Sequence, residues 1–196
     1  MIRLFDLVFS SIILILFLPL GILIAVLIRL ESKGSVFYRQ VRIGKDAKQF
    51  NLLKFRSMLM DSDKQGKLTI GSKDSRITRV GYVIRKFKLD EFPQFINVLL
   101  GHMSVVGPRP EVAEFVALYT VAQRKVLLVR PGITDEASLQ YFEENKLLAA
   151  SKNPMKTYIE VVMPSKIAIN LAYLENRSLL RDLTVVGKTI LRIFRA

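Results

Sequence analysis

The chain has 196 residues and a formal net charge of +13, from 30 Lys plus Arg against 17 Asp plus Glu, yet 51% of it is hydrophobic and its mean hydropathy is +0.30. The apolar content excludes a disordered polybasic tail, and the length suits one domain, two at the outside. Cysteine is absent and His102 stands alone, which excludes a disulfide-stapled module, a thiolate zinc site, thiol catalysis and a His-rich metal site.

The charge and the apolar residues are segregated. Leu7 to Ile28 contains no ionisable side chain. As a helix it would be about 33 Å long, enough for the hydrocarbon core of a bilayer. Pro19 interrupts it: the ring has no N–H for the carbonyl of Ile15, and Gly21 softens the same turn, so a kink near Pro19 is predicted. A helix that spans and one that enters and returns on the same side both fit. A signal peptide fits less well, because only Arg3 precedes the apolar run and no small-x-small site comes before Arg29. Arg29, Lys33, Arg39, Arg42, Lys45 and Lys48 follow it, which places the downstream side in the cytoplasm. The division is therefore a membrane helix over residues 1–30 and a cytoplasmic domain over 31–196. That domain carries 28 basic and 16 acidic side chains, a balance suited to an anionic membrane surface and to anionic substrates.

Further along, Val36–Arg42 and Phe50–Met58 read as a β-hairpin turning near Gly44-Lys45-Asp46, with Lys54 and Arg56 on one face. Asp61–Thr78 is polar and rich in Gly, Ser and Lys, so a mobile loop is expected. Val80–Lys88 gives one or two helical turns. Pro93–Leu100 is a short helix opened by proline, and Pro110–Val129 is expected as a longer one ended by Pro131-Gly132. Glu143–Ala150 is predicted helical, as are Met155–Val162 after Pro154 and a stretch from Pro164 to about Asn176. At the C-terminus Lys188, Arg192 and Arg195 share one helical face. This is either an amphipathic helix lying on a membrane or a solvated basic stripe. The fold class is α+β, mainly helical: a proline-kinked N-terminal helix, then a compact domain with a β-hairpin and amphipathic helices.

Two motifs carry chemistry. In Lys88-Leu89-Asp90-Glu91-Phe92-Pro93-Gln94, Pro93 disfavours helix at Phe92 and opens the next one, so two carboxylates meet at a helix junction. Such a pair can supply a nucleophile and a Mg²⁺ ligand, or simply cap a helix. In Gly107-Pro108-Arg109-Pro110 the two prolines hold the backbone around an arginine, whose planar fork matches phosphate, unless it only faces solvent in a rigid turn. Arg130 precedes a Pro-Gly turn, and Lys54, Arg56 and Arg85 add cations.

Together these blocks resemble the bacterial sugar transferases, specifically the small monotopic phosphoglycosyl transferases. The similarity runs almost end to end. It takes in Arg3-Leu4-Phe5-Asp6 and the proline-broken helix, Gly34-Ser35-Val36-Phe37-Tyr38-Arg39-Gln40, Lys54-Phe55-Arg56-Ser57-Met58, and Leu89 to Gln94. It continues through Asn97-Val98-Leu99, Met103 to Pro110, and Arg130-Pro131-Gly132-Ile133-Thr134. The resemblance implies transfer of a sugar-1-phosphate from a UDP-sugar to a polyprenyl (undecaprenyl) phosphate, with release of UMP. Asp90 matches the nucleophile that forms a phosphosugar-aspartyl intermediate. Glu91 matches its partner acid, and the two would hold Mg²⁺. Lys54 and Arg109 match phosphate-binding positions, with Arg85 and Arg130 as further basic ones. The Pro19 helix matches a re-entrant helix at the cytoplasmic face of the bacterial inner membrane, and 196 residues would suit a complete minimal enzyme starting glycan assembly, with downstream glycosyltransferases as partners. Three positions depart from the family pattern: Leu18 where Ser is frequent, His102 where Asp is common, and Asp135-Glu136-Ala137 where Gly-Trp-Ala is common.

A catalytically silent membrane-surface protein binding anionic lipid or partner glycosyltransferases is the alternative. A nucleic-acid module is not expected, since no aromatic-basic RNA-binding signature accompanies the charge.

Overall fold

The structure, a computed structural model, describes residues 1–60 and 75–195. The apolar segment forms two helices, α1 (Ile2–Leu16) and α2 (Leu18–Glu31), bent by 61° at Phe17. The kink thus lies just before Pro19, which sits in the first turn of α2, where a missing N–H costs nothing. Among the described residues no single helix is long and apolar enough to cross a membrane, whereas this bent pair meets that requirement jointly, by length and composition.

The family-like Arg3 and Asp6 dock α1. Arg3 donates to the carbonyls of Val98 (2.8 Å) and Leu99 (3.3 Å). Asp6, 2% exposed, accepts from the Ser104 hydroxyl and from the Val105 N–H at 2.9 Å. Phe5, Phe9 and Phe95 pack behind them with tilted rings. α2 buries Ile24 and Ile28 against Phe55 and Ile84. Leu4, Val8, Ile12, Ile22, Leu23 and Val26 remain exposed on the outside.

β1 (Phe37–Ile43) and β2 (Gln49–Phe55) form the expected hairpin, with Tyr38 opposite Lys54. Phe50 and Leu52 turn inward onto Val98, Met103 and Val105, the principal core under the site. Most of the Asp61–Thr78 segment, residues 61–74, lies outside the described residues; Thr78 caps α3 (Arg79–Lys86) by accepting from the Gly81 N–H at 2.9 Å. α4 (Gln94–Leu99) follows Pro93.

Two features differ from the sequence reading. β3 (Ser104–Val106) and β4 (Gly132–Thr134) pair in parallel. Three-residue strands are too short to show a periodicity, and parallel partners lie far apart in the chain. The long helix expected over Pro110–Val129 is instead α5 (Ala113–Val116), a turn, and a 3₁₀ segment, Gln123–Leu128. The reason is a reciprocal capping box: the Thr120 N–H donates to Gln123 Oε1 (2.8 Å) and the Gln123 N–H to Thr120 Oγ1 (3.3 Å), so a new helical start competes with continuation.

α6 (Glu136–Gln140), α7 (Glu144–Ala150), α8 (Pro154–Thr157), α9 (Met163–Glu175) and α10 (Leu179–Arg195) complete the chain. A π-helical turn, Tyr158–Val162, joins α8 to α9, beside Pro164 in the first turn of α9, which has no N–H to give to the ladder. Asp182 of α10 is buried between Arg177 and Tyr173, and Arg177 also reaches Ser104 Oγ (3.1 Å) and the Val106 carbonyl (2.7 Å), so α10 and α1 lock onto the same strand. Ile190, Leu191 and Phe194 of α10 are exposed beside its basic residues.

Candidate active site

Lys88 ends the α3 region in the left-handed conformation (φ 58°, ψ 17°) and turns the chain into a 3₁₀ turn, Leu89–Glu91. That reversal is what makes Asp90 and Glu91 adjacent members of a junction rather than of one helix. Both face cations drawn from distant parts of the chain. Lys54 of β2 donates to Glu91 Oε1 at 3.0 Å. Arg109 spans both oxygens of the same carboxylate, Nη2 to Oε1 at 2.5 Å and Nη1 to Oε2 at 3.3 Å.

Arg109 is placed by a backbone crossing that only glycines permit. A Cβ on Gly132 would lie 2.1 Å from the Gly107 nitrogen. The two strands close on each other through Gly107 N–H to the Thr134 carbonyl (3.0 Å) and Gly132 N–H to the Pro108 carbonyl (3.0 Å). Arg109 leaves this crossing between its two prolines with little backbone freedom.

The two carboxylates are electrostatically unlike. Burial alone would raise Glu91, but the charges of Arg109 and Lys54 outweigh it and hold Glu91 well below the usual carboxylate range. The Arg109 guanidinium is correspondingly raised, chiefly by Glu91. Asp90 is 7% exposed and its carboxylate makes no hydrogen bond among the described residues. Burial raises Asp90, against the opposing charges of Lys54, Arg85 and Lys88. Glu91 is thus an anion paired with two cations, whereas Asp90 has no such pair among the described residues.

Of the cations singled out in the sequence, Lys54 and Arg109 pair with Glu91, while Arg85 donates to Ser57 Oγ at 3.5 Å and acts on Asp90 through its charge. Arg130 goes elsewhere: its Nε donates to the Gly101 carbonyl at 2.8 Å and steadies the turn into β3. Arg56 is buried at the end of α2, donating to the carbonyls of Lys33 (2.7 Å) and Ser32 (2.8 Å). His102 lies 5.7 Å from the Phe50 ring, a packing role. Lys88 is the site cation that sequence reasoning passed over by grouping it with the α3 face. Its place directly before Leu89-Asp90 was the available signal. Its ammonium also lies 5.7 Å from the Phe142 ring, whose centroid is 5.2 Å from the Arg192 guanidinium.

Among the described residues there is no group of three or more acidic or imidazole side chains able to hold a metal ion. Mg²⁺ needs only one or two carboxylates when substrate phosphates complete its shell. The unbonded Asp90 and its neighbour Glu91 fit that donor set.

The model of the bacterial sugar transferases matches residues 1–196. The chain belongs to the bacterial sugar transferase family. It is 39% identical, over 94% of its length, to the UDP-N-acetylgalactosamine-undecaprenyl-phosphate N-acetylgalactosaminephosphotransferase of Aeromonas hydrophila, and spans 41% of that protein. It is 36% identical to the exopolysaccharide production protein ExoY of Rhizobium meliloti (strain 1021), over 96% of this chain and 83% of that one. It is 35% identical to the UDP-glucose:undecaprenyl-phosphate glucose-1-phosphate transferase of Escherichia coli (strain K12), over 96% of this chain and 39% of the other. The sugar transferase match covers the whole site described above, from Lys54 to Arg109.

Proposed function

We propose that the protein transfers a sugar-1-phosphate from a UDP-sugar to undecaprenyl phosphate and releases UMP, by way of a phosphosugar-aspartyl intermediate on Asp90. The observation that carries this reading is the division of labour in the acidic pair: Glu91 is engaged by Lys54 and Arg109, while Asp90 is buried, unbonded and faced by Lys54, Arg85 and Lys88. Phosphoryl transfer asks the protein for a positioned nucleophile and for charge on the equatorial phosphoryl oxygens, and these residues supply both.

In the first step an Asp90 oxygen attacks the sugar-bearing phosphorus, and the bond to UMP breaks with its electron pair leaving on the UMP oxygen. In the second, an oxygen of the lipid phosphate attacks the same phosphorus, the bond to Asp90 breaks, and the carboxylate is regenerated. No base is needed for either attack when Asp90 is ionised, because each nucleophile is then an anion. Mg²⁺, held by Asp90 and Glu91 together with substrate phosphates, would neutralise charge on the pyrophosphate.

The bent α1–α2 pair, with its exposed apolar outside and its Arg3 and Asp6 anchors, supports a re-entrant helix at the cytoplasmic face of the bacterial inner membrane. A second apolar and basic surface on α10 suits an anionic membrane, where downstream glycosyltransferases would collect the product.

The test is exchange. With no lipid acceptor present, isotopically labelled UMP should be incorporated into UDP-sugar by the wild-type protein and not by Asp90→Asn. Exchange retained in Asp90→Asn would remove Asp90 as the nucleophile.

A further inference from the structure

Lys54 and Arg109 are committed to Glu91, and Arg85 donates to Ser57 Oγ. Lys88 is different. Among the described residues its ammonium forms no hydrogen bond and no ion pair, and the partner it does have is the Phe142 ring, 5.7 Å from nitrogen to centroid. Yet the charges that act on it are those of the site: Glu91 and Asp90 attract it, while Arg109 and Lys54 repel it. Lys88 is solvent-exposed and carries its ammonium on a long flexible stem. Pushed by two other cations, that ammonium would swing out into water unless something opposed it. The ring does.

Phe142 is itself fixed. It lies half-buried in the turn between α6 and α7. The neighbouring Tyr141 hydroxyl donates to Ser165 Oγ of α9 at 2.8 Å. α10 lies along β4 and α6, with Thr189 Oγ1 2.7 Å from Thr134 Oγ1 and the Lys188 ammonium 3.9 Å from the Glu136 carboxylate. About one turn further, the Arg192 guanidinium comes to 5.2 Å from the same Phe142 ring. An aromatic face attracts a cation within about 6 Å of its centroid through the ring quadrupole. Unlike a carboxylate, the ring has no net charge, so the ammonium it holds keeps its full positive charge.

We propose that Phe142 is a positioning residue. Its ring holds the Lys88 ammonium beside the acidic pair without neutralising it, and so keeps one cation uncommitted for a phosphoryl oxygen. The assignment rests on the phosphoglycosyl-transfer reading above. It also ties the site to the C-terminal helix, because Arg192 shares the ring.

The experiment places phenylalanines bearing one, two and three ring fluorines at position 142 of the full chain in detergent micelles. Fluorine drains the negative face of the ring with little change of shape, so packing is kept while the attraction for a cation fades. UMP release would be measured from UDP-glucose, UDP-galactose, UDP-N-acetylglucosamine and UDP-N-acetylgalactosamine, with undecaprenyl phosphate as acceptor. For the donor that the wild-type protein uses, kcat should fall with each fluorine, by about two- to fivefold over the series, the worth of one such contact at an exposed site. The melting curve should stay that of wild type. Phe142→Leu should lose at least as much activity, and Phe142→Tyr, which keeps the ring, should recover most of that loss. The same fluorine series should be flat in Lys88→Met and keep its slope in Arg192→Met. A flat series in an otherwise active wild-type background would overturn the assignment. So would a slope that survives in Lys88→Met or disappears in Arg192→Met, since the ring would then serve Arg192. No release from any donor by the wild-type protein, together with no UMP exchange, would instead remove the reaction itself, and the assignment with it.

Discussion

Arg109 contacts both oxygens of the Glu91 carboxylate, at 2.5 and 3.3 Å, although the residue proposed to react is the neighbour, Asp90. The arrangement uses one acid as a template. Glu91 holds Arg109 and Lys54 beside Asp90, where in the proposed reaction they would face the phosphoryl oxygens, and Asp90 is spared from pairing among the described residues. Arg109→Ala should lower kcat/KM for the donor by about 10²- to 10³-fold, the usual effect of losing one stabilising group for transition-state charge. Arg109→Lys should recover little, because a single ammonium cannot reproduce the two-pronged contact. Steady-state UMP release measures both, and near-wild-type kinetics in Arg109→Lys would show that a point charge suffices.

Lys88 holds a left-handed backbone that an L side chain adopts at a cost of about 1–2 kcal/mol. Glycine at that position removes the strain and also removes a cation close to Asp90. Lys88→Gly should therefore melt at the wild-type temperature or a few degrees above it, while UMP release falls at least tenfold. A variant that loses stability and activity together would point to a purely structural Lys88.

Asp135 is 1% exposed, and its Oδ2 has no partner among the described residues, while Oδ1 caps α6 by accepting from the Ser138 N–H. Burial raises its pKa above the ordinary value of 3.8. The folded state then holds this proton to higher pH than the unfolded chain does. Stability from this group is full below 3.8 and is lost as pH rises through the raised folded value. Asp135→Asn keeps a capping oxygen and never ionises. It should melt a few degrees higher than wild type at pH 7, with the gap closing toward pH 4. Melting curves across that range test the sign, and a lower melting point at pH 7 would mean that the charge is needed by Arg109 or Lys166.

Much of the site could be read locally. Pro93 after Asp90-Glu91 forces a junction, and the prolines around Arg109 present it stiffly, so both motifs announce themselves within a few residues. The helix start that divides Pro110–Val129 was also written in the chain, as Thr120 and Gln123, but apolar spacing is a louder signal than a capping box. Lys88 was hidden for a similar reason: its helical spacing concealed a left-handed backbone.

By itself, then, the sequence determined the bent apolar helix pair, the hairpin and the acidic junction, because proline geometry, strand alternation and hydrophobic runs act over a few residues. Only the tertiary structure decided which cations serve that junction. Lys54 and Arg109 reach Glu91, whereas Arg130 is drawn to the Gly101 carbonyl and Arg56 to the end of α2. An ion pair forms wherever folding brings two side chains within a few ångströms, and for residues 37 apart, as Lys54 and Glu91 are, that distance is settled by the docking of β2 on α4, where Asn97 accepts from the Leu53 N–H (2.9 Å) and donates to the Asn51 carbonyl (2.8 Å), not by the local sequence.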